Sequence, residues 1–555
     1  MIDIATSSTV HVKTWLEIIR NIHPFFSNHS KSFYLRLLIS VLFLSLISND
    51  ILAKEVELPL LAPPTLEVQQ ISPLNNASGI AKNVDINLTL NASIDGTALN
   101  STGIKIWGEL SGILDGVWTG AGSSSVTFNP TNDFLLSDVI HIDVTSNLKS
   151  TGNIAETPYS AKFSVLSSKL KTIGSWEKTA FPLEIVGKAV DGPKKISFGD
   201  INKDGKLDFA VASVNDKTIR KVINTTSGST VSFSTETIAV NSNDARGVQL
   251  VDLDKDGDLD AVYVSSADGK IEWAQNNAGI YTPITIATNV GQFREVAVAD
   301  IDGDGDNDIV TVSVGNNIVR WYQNDGNQVF TAAAISSNLS NPNSITIANL
   351  TKTGNPFIVV TSFADDKVSA YQFKDGAFVT STAATGIDGA IFTEVGDVNG
   401  DGIPEIVSAA FNSNSVFVHS YDSTLNKIGA GTRVATGLTE IQTVRLYDMD
   451  GDGDLDIIAA GSGNGLIEWY ENDGSGSFTA VSLKIDTSGG NPVHFVVADF
   501  TGNGNPDILV ANLDNDRIVL YKAVPLVTVI SSNPTANSTD VEKNQQISIK
   551  FNTDI

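Results

Sequence analysis

Nine-residue clusters of oxygen-bearing side chains recur seven times in this 555-residue chain. The fullest is Asp448-Met-Asp450-Gly-Asp452-Gly453-Asp454-Leu-Asp456, with carboxylates at positions 1, 3, 5 and 9 and a glycine at position 6. Carboxylates at alternate positions converge on one point only if the backbone turns sharply, and glycine allows that turn by adopting a left-handed conformation. Position 7 can then add a backbone carbonyl. The result is a cage of hard oxygens, suited to Ca²⁺ with its six to eight ligands; Mg²⁺ prefers a smaller octahedral site and is the second choice.

The seven copies differ in donor content. Repeat 2 (Asp252, Asp254, Asp256, Asp260), repeat 3 (Asp300, Asp302, Asp304, Asp308) and repeat 6 (Asp448, Asp450, Asp452, Asp456) carry four acids each. Repeat 1 has Asp200, Asn202, Asp204 and Asp208; repeat 5 has Asp397, Asn399, Asp401 and Glu405. Repeat 7 is thinner, with Asp499, Thr501, Asn503 and Asp507, and repeat 4, Asn349 to Phe357, has no carboxylate. Five good calcium sites, one weak and one empty are therefore expected. An EF-hand is excluded, because position 12 is not Glu (Val211, for example) and the flanks are strand-like.

The motifs start 48 to 52 residues apart. Each unit reads as an apolar strand, the acidic loop, a second apolar strand such as Ile309-Val-Thr-Val312, a turn, and two further strands. Four antiparallel strands in each unit of this length predict propeller blades, and seven motifs predict seven of them. The seventh unit lacks a fourth strand, whereas an extra one, Ser175 to Ile185, precedes the first. That strand is expected to complete the last blade and remove an open edge.

Residues 65–167 have short alternating strands separated by turn residues, the pattern of a β-sandwich. Ile71–Ile94 aligns without gaps on Ser532–Ile555. The C-terminal copy, residues 527–555, thus reads as the truncated start of a second sandwich, expected to be poorly ordered, with further domains missing downstream. The fold class expected is all-β: a seven-bladed β-propeller (175–523) preceded by an Ig-like sandwich.

The acidic loops resemble the FG-GAP/VCBS repeats, integrin-like propeller repeats with a D-x-[DN]-x-D-G-x-x-D calcium loop. Residues 65–167 and the C-terminal copy resemble bacterial Ig-like domains, on the Ser/Asn-Pro-x-x-Asn opening. The resemblance implies a calcium-bound propeller serving as a scaffold for binding at cell surfaces, and it fixes no ligand.

At the N-terminus, Lys31 and Arg36 flank an apolar run, Leu37–Ile47, too short to span a bilayer and suited to a signal peptide over residues 1–53. Cleavage after Ala53 is expected, an uncleaved anchor is the alternative, and residues 54–64 read as a linker. The long polar lead points to an extended n-region or a downstream start. A net charge of −27 argues against nucleic-acid and anionic-membrane partners, and the lack of cysteine excludes disulfides and thiolate sites. A secreted or outer-surface bacterial protein, with a protein or glycan ligand and no membrane insertion of the mature chain, is expected.

A catalytic constellation is not visible. His141, His419 and His494 are far apart in sequence, and Trp273, Trp321 and Trp469 recur at one unit position as inter-blade packing. A secreted polysaccharide lyase or hydrolase built on the same propeller stays open as the alternative. Six residues before the first Asp, repeats 1 to 3 carry Lys194, Arg246 and Arg294, which could converge as a cationic patch on this acidic chain.

Overall fold

A computed structural model describes residues 66–533 and 548–551, apart from short segments of which the longest are 153–158, 166–172 and 181–189. The signal-peptide and linker readings lie outside the described residues. All the regular elements described are strands or bridges, and no helix among these residues is long and apolar enough to cross a membrane.

The N-terminal domain has two four-stranded sheets. One orders Val68–Ser72, Ile86–Leu90, Ser125–Pro130 and Gly116–Thr119; the other orders Gly112–Ile113, Ile104–Gly108, Val139–Val144 and Tyr159–Ser164. Ile86-Asn-Leu-Thr-Leu90 turns every second side chain inward, as period-two alternation dictates. Ile86, Leu88, Ile104, Ile106, Val126, Ile140 and Ile142 fill the core.

Beyond it, each repeat forms one antiparallel sheet. In repeat 1 the order is Pro193–Gly199, Asp208–Ser213, Thr218–Asn224 and Phe233–Ala239, and the same order recurs in repeats 2 to 7. The second strand is buried at every position, for example Asp260–Ser265 and Asp308–Ser313. These strands have near-continuous apolar sequences because both faces are covered by neighbouring sheets. The core is accordingly divided into seven clusters, one between each pair of neighbouring repeats. One of them joins repeat 7 to repeat 1 through Val496, Phe500, Leu509, Ile196, Phe209 and Val211. The first strands also touch in cyclic order, Pro492–Ala498 meeting Pro193–Gly199.

The seventh sheet is completed as the sequence implied. Ile173–Ala180 pairs antiparallel with Arg517–Pro525, with Tyr521 opposite Lys178. The strand ends at Ala180; the expected continuation to Ile185 lies outside the described residues.

At the C-terminus, Val529–Asn533 pairs with Ser548–Phe551. Little order was expected there, but this ladder copies Val68–Ser72 against Ile86–Leu90 residue for residue, with Val529↔Phe551 matching Val68↔Leu90 and the same register shift. The internal alignment thus extends to backbone pairing.

The Ig-like sandwich meets the acidic-loop end of the repeats. Tyr159 bridges to Gly354 in the carboxylate-free loop. Thr145 lies so close to Gly305 that a Cβ there would sit 2.9 Å from its methyl group.

Candidate metal centres

Each loop turns at its sixth residue. Gly205, Gly257, Gly305, Gly354, Gly402, Gly453 and Gly504 all have φ between +80° and +105°, which other residues adopt only with strain. In the six acidic loops, the position-1 carboxylate accepts the N–H of this glycine at 2.7–3.1 Å. Outside repeat 7, position 3 accepts from position 5, and in all six position 5 accepts from position 7, as in Asp302 to Asp304 (3.4 Å) and Asp304 to Asp306 (2.9 Å). The acids are thereby turned toward the loop interior.

Position 9 has a second duty. In repeats 1, 2, 3, 5 and 6, Asp208, Asp260, Asp308, Glu405 and Asp456 accept the position-2 amide at 2.9–3.2 Å. In four of these repeats the carboxylate also accepts, at 2.6–2.8 Å, the amide of an asparagine in the third strand: Asn224, Asn276, Asn324 and Asn472. This buried acid fastens the loop to two strands of its own sheet, besides whatever it gives to a cation.

Three groups of carboxylates have oxygens all within 4.8 Å of one another: Asp252, Asp254 and Asp260; Asp300, Asp302 and Asp304; Asp448, Asp450 and Asp456. They fall in the three loops with four acids. Burial is the main cause of their raised pKa values, with neighbouring carboxylates adding to it. Asp300 and Asp456 are pushed up to about 8 and Asp308 to about 9. Asp260 rises to about 7, and Asp252, Asp304 and Asp448 to about 6. Asp300, Asp308 and Asp456 therefore retain protons near neutrality unless a cation replaces them. Asp252 is 4% exposed, and its Oδ1 is buried without a hydrogen-bond partner. An all-oxygen donor set with an orphaned carboxylate oxygen fits a hard divalent cation.

The other loops gather fewer acids. Repeat 1 keeps Asp200, Asp204 and Asp208, the last pushed up to about 7 by burial. In repeat 5, burial also pushes Glu405 up to about 7, and Asn399 donates its amide to that carboxylate at 2.7 Å. In repeat 7, Asp507 reaches about 7, through burial first and Asp499 second. Repeat 4 holds its turn with neutral bonds: Gln372 Nε2 donates to Asn355 O at 2.7 Å, and Asn355 Nδ2 to Phe373 O at 3.2 Å.

Two features were missed in the sequence. The third-strand asparagines lie at a constant offset of 24 residues from position 1. Their side chains reach the position-8 carbonyl, and Asn224 and Asn472 also bond the neighbouring repeat at Phe500 O and Val398 O, both at 2.7 Å. Successive loops are also linked, Lys203 to Asp258 at 2.7 Å and Lys255 to Asp306, each pairing position 4 with position 7 of the next loop. Aligning the repeats and reading positions 4 and 7 together would have found these pairs.

The remaining candidates resolve into packing. Trp273, Trp321 and Trp469 are buried between neighbouring repeats, as expected. His419 is fully buried between Ser408 Oγ at 2.8 Å and Gly429 O at 3.1 Å, and His141 stacks on Trp107. His494 accepts from Arg445 at 2.7 Å, and burial, Lys195 and Arg445 hold its pKa well below the usual range. It lies beside a cavity of about 380 Å³ lined by the first strands and closed by Ig-like residues that include Lys105 and Asp143. Two ion pairs lie along that cavity, Lys195 with Glu295 and Arg445 with Glu394.

Profiles of known families find the same units. The family described as FG-GAP-like repeat matches residues 200–263, 256–311, 300–360, 397–459 and 448–510, and the bacterial Ig-like domain matches 62–165. The chain carries FG-GAP-like repeats behind a bacterial Ig-like domain. Five FG-GAP-like matches thus start at the first residues of loops 1, 3, 5 and 6 and within loop 2. No curated protein matches the chain. Among solved structures, an auxiliary nutrient binding protein from Bacteroides ovatus is 10% identical, with a TM-score of 0.36, over 83% of this chain and 98% of that one. A periplasmic gluconolactonase from Pseudomonas aeruginosa is 13% identical, with a TM-score of 0.41, over 57% of this chain and 95% of that one. Likenesses this slight carry no argument about what the FG-GAP-like repeats do here.

Proposed function

We propose that the seven sheets are the blades of a closed propeller stiffened by calcium, and that the protein is a secreted or surface-displayed recognition scaffold. Calcium is structural in this reading. It is held by the loops of repeats 2, 3 and 6, with repeats 1 and 5 completing five good sites, repeat 7 weak and repeat 4 empty. The observation that carries it is the gathering of three carboxylates at each four-acid loop. The cyclic contacts of the first strands support closure. The packed histidines support binding over catalysis, and the acidic charge favours a protein or glycan partner over nucleic acid.

The loops' contribution follows from mass action. At an extracellular-type Kd near ~10⁻⁴ M and millimolar calcium, each site stabilises by roughly 1.4 kcal/mol. Five such sites would raise the melting temperature of a domain this size by roughly 10 °C. Calorimetric melting in calcium and in chelator tests this, and an unchanged transition would refute a structural role for the metal.

A further inference from the structure

All seven first strands carry a register shift near the same place. It falls between Pro193 and Lys195, Ala245 and Gly247, Phe293 and Glu295, Pro342 and Ile345, Ala390 and Phe392, Ile441 and Thr443, and Pro492 and His494. A bulge leaves its extra residue out of the ladder and re-aims the side chain. The bulge residues of repeats 1, 2 and 3 are Lys194, Arg246 and Arg294; Asn343, Ser344, Ile391, Gln442 and Val493 occupy the other four. The first strands touch in cyclic order, so these positions form a ring at the strand ends opposite the acidic loops. Three adjacent members are cationic and the rest are neutral.

The three cations share one environment. Lys194 is pushed down to about 8, first by burial and then by Arg246 and Arg294. Arg294 is also lowered, by burial first and Arg246 second. Their compensation is incomplete. Arg246 pairs with Asp244 at 2.8 Å, but among the described residues neither Lys194 nor Arg294 has an ion pair. Arg294 Nε is buried without a hydrogen-bond partner. Asp244 and Asp514 are the acids that act on Lys194. Half-buried cations facing one another are costly unless an anion joins them. The Ig-like domain meets the other end of the repeats, at Gly354.

We propose that this crescent of bulge residues binds a tetrahedral oxyanion, of the sulfate or phosphate class. Three bases set against Asp244 and Asp514 leave the crescent net positive, and an arginine fork suits tetrahedral oxyanions. The site deepens the recognition reading, locating the ligand's charged group at the mouth away from calcium, and it rests on that reading for the closed ring.

Titration calorimetry of the calcium-loaded full chain with sodium sulfate, at low and constant ionic strength, tests the site. The comparison is with Arg294→Gln, with the double variant Lys194→Gln/Arg294→Gln, and with sodium acetate as the monovalent probe. Sulfate affinity is expected to fall about tenfold in the double variant and less in Arg294→Gln, while calcium stoichiometry and melting temperature stay unchanged. Equal sulfate affinity in wild type and double variant would overturn the site. Acetate, planar and monovalent, binding as tightly as sulfate would overturn its assignment to a tetrahedral oxyanion. Loss of calcium binding with sulfate affinity retained would count against the calcium reading alone, so the two failures are distinguishable.

Discussion

Loops 3 and 4 occupy equivalent places in adjacent sheets and turn through glycines of nearly identical conformation, Gly305 at φ +94° and Gly354 at +95°. One gathers four acids, from the buried Asp308 to the exposed Asp304, and the other has none. Loop 4 has instead neutral side-chain bonds through Gln372 and Asn355, while the Ig-like domain touches both loops, Thr145 at Gly305 and Tyr159 at Gly354. At position 9 the contrast is between Asp308, accepting two backbone amides, and Phe357, buried in an apolar cluster with Leu350 and Val359. The turn therefore belongs to the glycine and the flanking strands. A carboxylate network and neutral side-chain bonds are two ways to hold a loop that the backbone already makes.

The largest effects should come at position 9. Phe357→Ala removes a side chain that is 2% exposed and is expected to cost about 3–5 kcal/mol whether or not calcium is present. Asp308→Ala strands the amides of Ile301 and Asn324 and should cost about 2–4 kcal/mol, plus the calcium increment of its site. Denaturant melts of both variants, with and without calcium, separate the two loops; a calcium-dependent penalty at Phe357 would break the comparison.

Next in size is a pH effect confined to calcium-free protein. Asp300, Asp308 and Asp456 have folded pKa values of about 8 to 9, far above the unfolded value of about 3.9. Between these limits the folded state binds more protons, so its stability should fall as pH rises from about 4 to about 9. Calcium should flatten that slope by taking the protons' place. A calcium-free melting temperature that rose over this range would contradict the assignment.

Smaller still is the neutral pair Asp302→Asn/Asp304→Asn. It keeps the loop's shape but should forfeit one site, about 1.4 kcal/mol in millimolar calcium. Smallest of all is Asn349→Asp in loop 4, which should add no calcium, because one carboxylate without its partners makes no cage. Equilibrium dialysis checks both.

Much of this was legible in the sequence. The strand order, the glycine turns, the three densest acidic loops and the strand that completes the seventh sheet all follow from local periodicity and from a unit that repeats. What the sequence concealed depends on surfaces meeting across the chain. That loops 3 and 4 receive the Ig-like domain requires Thr145 and Tyr159 to lie beside residues some 160 to 200 positions later, and no local pattern specifies that. The third-strand asparagines were legible in principle, since a constant offset marks them, but a buried asparagine bonded to a carbonyl has no distinctive local pattern. The cationic residues were visible as a column of charges, whereas the bulges that turn them out of the ladder emerge only from the register.

The central claim, that carboxylate content decides which loops hold metal, is tested most directly by counting calcium in wild type, Asp302→Asn/Asp304→Asn and Asn349→Ala. The account predicts one ion fewer in the loop 3 variant and no change in the loop 4 variant. An unchanged count in the first, or a lost ion in the second, would contradict it.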